Sequence, residues 1–142
     1  MILLDLDIGS TDRWRSLPFA VRVDSGAYLA LEAVGADTRI SIPIDDSAPG
    51  THTIEFILLD KPLDYTTITN GEITQDVLLK FHSLRVASLD ILHLVIDQAR
   101  YRHSNNGATE LEDHKFSGTL GCRGSVLWTV QFPFFLWLLE HY

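Results

Sequence analysis

The sequence predicts an all-β fold, a single jelly-roll-like antiparallel β-sandwich spanning residues 1–142, on three observations. Apolar and polar residues alternate with period two through most of the chain. The strands so defined are short and recur at roughly 8–12-residue spacing. The breaks between them carry Gly, Pro, Asn and Asp, whose backbone preferences make turns. With 142 residues, 46% apolar and 21% charged, the chain fits one domain and can bury one core without disulfide or metal staples.

Each element follows from its pattern. Ile2, Leu4, Leu6 and Ile8 face one way while Asp5 and Asp7 face the other, which defines the first strand. Phe19, Val21 and Val23 repeat the alternation up to the turn Asp24-Ser25-Gly26, and residues 27–34 return as a strand with Leu29 and Leu31 inward. Ile40, Ile42 and Ile44 form the next strand, which Pro43 places at a sheet edge because proline cannot donate to a ladder. After the Asp-, Ser- and Pro-rich turn over 45–50, the strand from Gly50 sets Ile54, Phe56 and Leu58 on one face. Asn70-Gly71 is a tight hairpin turn, and residues 77–86 resume the strand period. The apolar run Leu89 to Ile96 fits a buried strand or a short helix equally. Tyr101 to His114 is polar, holds Asn105-Asn106-Gly107 and reads as a hairpin loop in which His103 and His114 face each other. Val126, Trp128, Val130 and Phe132 point inward from the last long strand.

Pro133 opens the apolar run Phe134, Phe135, Leu136, Trp137, Leu138 and Leu139. It is far short of the ~20 residues that cross a bilayer, so no membrane insertion is expected. It is also too apolar to be left in water. Either it closes the domain's own core, or all six side chains are buried at a subunit interface that makes the protein an oligomer or a piece of a larger particle.

Charge excludes further classes. The net charge is −8, and the 11 Lys and Arg are scattered in sequence, so the clustered cations that nucleic acid requires are missing and no nucleic-acid partner is expected. Cys122 is the only cysteine, which rules out an intrachain disulfide. The segment Met1-Ile-Leu-Leu-Asp-Leu-Asp lacks the basic stretch of a signal peptide, so synthesis in a cytoplasm is expected, with any outside role reached in a particle or by lysis.

No nucleophile elbow, phosphate-binding glycine loop or metal-spaced histidine pair is present, which points to a non-catalytic protein. Asp60, Asp64, Thr66, Thr67, Asn70, Glu72 and Asp76 crowd one connection with oxygen ligands of the kind calcium takes, although the same residues serve as ordinary turn formers. Asp60, Asp64 and Asp76 are the candidate ligands. Trp14, Tyr65 and Tyr101 fall in or beside loops, where a flat aromatic face with a polar rim can stack on a sugar ring.

Two resemblances sharpen these expectations. The strand Gly50-Thr-His-Thr-Ile-Glu-Phe-Ile-Leu-Leu-Asp60, with Val23-Asp24 in a turn, resembles calcium-dependent carbohydrate-binding modules of the xylan-binding type, and implies a calcium near Asp60 and a glycan ligand. Leu59 stands where those modules carry Asn. The segment Asp64 through Asp76, with Lys115-Phe116, Gly118, Gly121-Cys122 and the terminal Leu-Trp-Leu-Leu-Glu, is similar to small β-sandwich proteins of marine tailed phages, cyanophages especially, and implies a virion or tail component. The expected function is a non-catalytic structural or adhesion module that binds glycan through rim loops. The alternatives are a stand-alone calcium-dependent carbohydrate-binding accessory domain and a small hydrolase using paired carboxylates such as Asp5 and Asp7.

Overall fold

The computed structural model describes residues 1–142 as two packed antiparallel sheets, a short outlying hairpin and two brief helices. The strands in chain order are β1 (Ile2–Ser10), β2 (Leu17–Val23), β3 (Ala30–Val34), β4 (Thr38–Ile44), β5 (Gly50–Leu58), β6 (Thr66–Thr69), β7 (Glu72–Asp76), β8 (Leu79–Val86), β9 (Leu89–Asp90), β10 (Arg100–His103), β11 (Glu112–Lys115), β12 (Thr119–Leu120) and β13 (Gly124–Phe132). The helices are α1 (Leu92–Gln98) and α2 (Phe134–His141). One sheet runs β12-β8-β1-β4 with β9 on β8; the other runs β11-β10-β13-β5-β2-β3. The sandwich expected from the alternation is the fold.

Period two decides which side chains meet between the sheets. Ile2, Leu4, Leu6 and Ile8 of β1 and Ile40, Ile42 and Ile44 of β4 face Phe19, Val21, Ile54, Phe56, Val126, Trp128 and Val130 of the other sheet, all buried. Phe81 of β8 joins the two layers, edge-on to Phe19, Phe56 and Phe116 at centroid distances of 6.0, 5.4 and 5.1 Å. Each such side chain contributes about 1.5–3 kcal/mol through burial, and the edge-to-face geometry adds a smaller increment.

Several local expectations stand. Pro43 lies on β4, which is an edge strand. Asn70 and Gly71 make the β6–β7 turn with φ of 54° and 80°, the left-handed region that these residues tolerate. Leu89 to Ile96 resolves into the two-residue β9 followed by α1, started by Asp90, whose carboxylate accepts the Leu92 N–H at 3.0 Å.

Three expectations are corrected. Leu31 pairs with Ala20 and points outward, 60% exposed, and Leu29 precedes β3; the inward position belongs to Val34 opposite Leu17. β1 is an interior strand, and the carboxylates of Asp5 and Asp7, the candidate catalytic pair, are not free. They are held across the sheet, Asp5 by Ser41 at 2.7 Å and Asp7 by Arg39 at 2.9 Å and Ser83 at 2.7 Å. The C-terminal run is divided. In α2, Phe134, Trp137 and Leu138 are buried in the chain's own core, with Phe134 and Trp137 against Trp128 at 6.0 and 5.6 Å. Helical spacing turns Phe135, Leu136 and Leu139 to the outside.

Candidate functional site: a rim groove beside Trp14

One end of the sandwich carries a groove built from the β1–β2 loop and the excursion between β5 and β8. The loop is fastened at both sides. Thr11 donates its N–H to the Leu78 carbonyl at 2.9 Å, and its hydroxyl accepts the Leu78 N–H at 3.0 Å. Arg15 Nη1 donates to the Asp64 carbonyl at 2.9 Å, and Tyr65 donates its hydroxyl to the Ser16 carbonyl at 3.1 Å. Asp12 turns the chain by accepting the Trp14 N–H at 2.9 Å. The result is a tip on which Trp14 is 82% exposed while its backbone is fixed.

The groove beside this tip has a volume of about 440 Å³ and is lined by Asp12, Arg13, Arg15, Tyr65, Thr67 and Gln75 among others. That size falls within the range of small-ligand sites. Arg13 lies 4.7 Å from the Trp14 ring centroid and Arg15 5.1 Å from that of Tyr65, so each guanidinium is held by a ring face beside polar donors and acceptors. Chemically, this is an aromatic surface next to hydroxyl-binding groups.

The structure sorts the three candidate aromatics. Trp14 is an exposed platform with the Arg13 guanidinium over one face of its ring and the other face open. Tyr65 is half-buried, packs against the core and gives a ring face to Arg15, so it forms a wall of the groove. Tyr101 is corrected: it lies in β10, 4% exposed, and cannot meet a sugar. Its hydroxyl donates to the Cys122 carbonyl and accepts the Cys122 N–H, and burial pushes its pKa up to about 12.

The candidate calcium ligands do not converge. Asp76 accepts from the Lys61 ammonium and from the Thr66 hydroxyl at 2.7 Å, so its charge is already met by a cation the chain supplies. Asp60 accepts its neighbour's N–H at 2.9 Å and otherwise faces solvent, as does Asp64. No three His, Cys, Asp or Glu side chains gather as a metal site. These residues do not fit the calcium site that the carbohydrate-module resemblance implies. Asp7, a candidate for acid–base work, has its pKa lowered to about 2, first by the Arg39 bond and then by Ser83, so it stays ionised.

Neither a family model nor a curated protein sequence matches the chain. In fold it is similar to a solved structure described as vCBM60 in complex with galactobiose, with a TM-score of 0.50 and 12% identity over 89% of this chain and 96% of that one. That neighbour is a carbohydrate-binding module. The likeness is one of fold, an antiparallel sandwich of nearly the same extent.

Proposed function

We propose that this chain is a non-catalytic glycan-binding module and that the groove beside Trp14 takes a neutral sugar. The observation that carries this reading is Trp14 itself: a tryptophan 82% exposed on a fastened loop loses little conformational entropy when a ligand covers it. Arg13, Arg15, Thr67 and Gln75 supply the polar contacts that orient a polyol. The galactobiose bound by the structural neighbour supports a short neutral oligosaccharide as the class to try first. Intrinsic fluorescence tests it directly, because Trp128 is fully buried and Trp137 is 7% exposed, leaving Trp14 as the residue acrylamide can quench. Galactobiose or a related neutral disaccharide at millimolar concentration should protect Trp14 from quenching; unchanged quenching across such a panel contradicts the reading.

A second role is favoured by α2. Phe135 is 44%, Leu136 63% and Leu139 82% exposed on one short helix, an apolar strip that suits attachment to a second copy or to a particle of the phage type. Sedimentation should show an assembly that Leu136→Glu with Leu139→Glu converts to monomer; a monomeric parent chain removes this role and leaves the glycan reading untouched.

A further inference from the structure

The outward face of the six-stranded sheet is more than a solvated surface. Register places Arg22, Glu55, Leu127 and Arg100 in one row across β2, β5, β13 and β10, with Ile57, Ser125 and Arg102 in the adjacent row. Glu55 leaves the sheet away from the core yet is only 7% exposed. Arg22 forks onto it, Nε to Oε1 at 2.9 Å and Nη2 to Oε2 at 3.2 Å, and the Ser125 hydroxyl donates to Oε2 at 2.8 Å. Burial pushes this carboxyl up, but the Arg22 and Ser125 bonds outweigh burial and hold it below the usual range. An ion pair kept in such a place is a poor source of stability, since an apolar pair would serve the fold as well. It fixes a guanidinium at the floor of an open groove.

That groove is long. Two spaces of about 560 and 490 Å³ adjoin along the sheet, sharing Ser25, Glu55, Arg102 and Leu127. Arg22, Arg100, Arg102 and Arg123 line them, against the carboxylates of Glu55 and Asp24, in a chain whose net charge is −8. The outer nitrogens Nη1 and Nη2 of Arg102 have no partner, because its bond to Asp113 uses Nε; Arg22 Nη1 and Arg100 Nη1 are likewise unused. Between these cations the lining is hydroxyl groups, Thr53, Ser125 and Thr129, and apolar side chains, Leu127 at the middle and Ile57 and Leu111 toward one end.

We infer that this face is a second binding site, separate from the Trp14 groove, for an acidic oligosaccharide that carries uronate carboxylates. Planar guanidinium edges match carboxylates in a bidentate manner, the serine and threonine hydroxyls suit sugar hydroxyls, and the length suits several residues of a chain. The one aromatic ring among the lining residues, His103, is 7% exposed and bonded through both nitrogens, so no ring face is open to stack bases, which sets nucleic acid aside.

Calorimetric titration of the intact chain with hexagalacturonate, and with its methyl-esterified form, tests the inference. The acid should bind at low ionic strength and more weakly as salt rises, and the ester should bind at least tenfold less well. Arg102→Gln should weaken the acid by roughly ten- to a hundredfold while leaving the melting temperature near that of the parent. Trp14→Ala should leave this affinity unchanged, which separates it from the rim reading. Where a variant fails to fold, amide shifts in the intact protein decide: movement at Arg22, Glu55, Ser125 and Leu127 supports the site, and movement confined elsewhere overturns it. Absence of binding by hexagalacturonate, equal binding by polyglutamate or oligothymidylate of matched charge, or loss on Trp14→Ala would each overturn it as well.

Discussion

Lys61 Nζ lies 2.5 Å from Asp76 Oδ1 and 2.6 Å from the Gly121 carbonyl, with the lysine side chain 1% exposed. One ammonium therefore ties the two ends of the β5–β8 excursion to the segment leading into β13, and the rim groove rests on this tie. Removing one partner of a buried pair leaves the other charge unmet, so Lys61→Met should lower unfolding free energy by roughly 3 kcal/mol. Urea denaturation measures it; a change within error would mean that the pair has no part in holding the rim.

The same pairing sets the expectation for calcium. A divalent ion would have to displace an ammonium already bonded to Asp76, and Asp60 and Asp64 offer no second cluster. Thermal melts in millimolar calcium, the weak end of calcium sites, should coincide with melts in chelator. A rise in melting temperature that Asp60→Ala abolishes would contradict this.

Two histidine systems give stability opposite pH dependences. His103 Nδ1 accepts the Asn105 N–H and His114 Nδ1 donates to the Lys115 carbonyl, each at 3.1 Å, so the 2.7 Å bond between their Nε2 atoms runs from His103 to His114 with both rings neutral. Burial, then the neighbouring His114, hold His103 below its ordinary 6.5. Its contribution is present above that value and is lost as pH falls through the lowered one. His52 faces two acceptors, the Asp24 carboxylate and the Ala48 carbonyl, an arrangement that favours the protonated ring, which donates from both nitrogens. The Asp24 bond raises its pKa above 6.5. Its contribution is full below 6.5 and is lost as pH rises through the raised value. Stability measured against pH should flatten on the acid side in His103→Gln and on the alkaline side in His52→Gln; the opposite pattern would contradict both assignments.

The division of α2 is testable in the same way. Trp137→Ala empties a core position against Trp128 and should lower stability by about 3–5 kcal/mol. Leu139→Ala, at an 82% exposed position, should change it by less than about 0.5 kcal/mol. Equal losses at the two positions would mean that the helix is covered on both sides.

Alternation carried most of the fold because a strand with one buried face writes its period into the sequence, as Ile2 to Ile8 and Val126 to Phe132 do. Period alone does not fix phase on an edge strand, which is why Leu31 reads inward and lies outward. In α2 an unbroken apolar run hides which side chains face the core. Tyr101 sits among Arg100, Arg102 and His103, polar in sequence, and is buried through partners distant in the chain, Val126 and His114 on the neighbouring strands and Cys122 at its hydroxyl. At the rim, Trp14 was legible from its loop, whereas the tie at Lys61 joins residues 60 apart and leaves no local trace. The outward groove is written just as faintly: its local signals are a lone Glu55 between Ile54 and Phe56, a lone Arg22 between Val21 and Val23, and the alternating Arg100 and Arg102, while Ser125 is 70 residues from Glu55.

A glycan array probed with the parent chain and with Trp14→Ala tests the central claim most directly. The parent should bind a restricted set of neutral oligosaccharides in the presence of chelator, and the variant, folded by circular dichroism, should lose them all. An array without neutral hits, or hits that survive removal of the Trp14 ring, would contradict glycan binding at the rim.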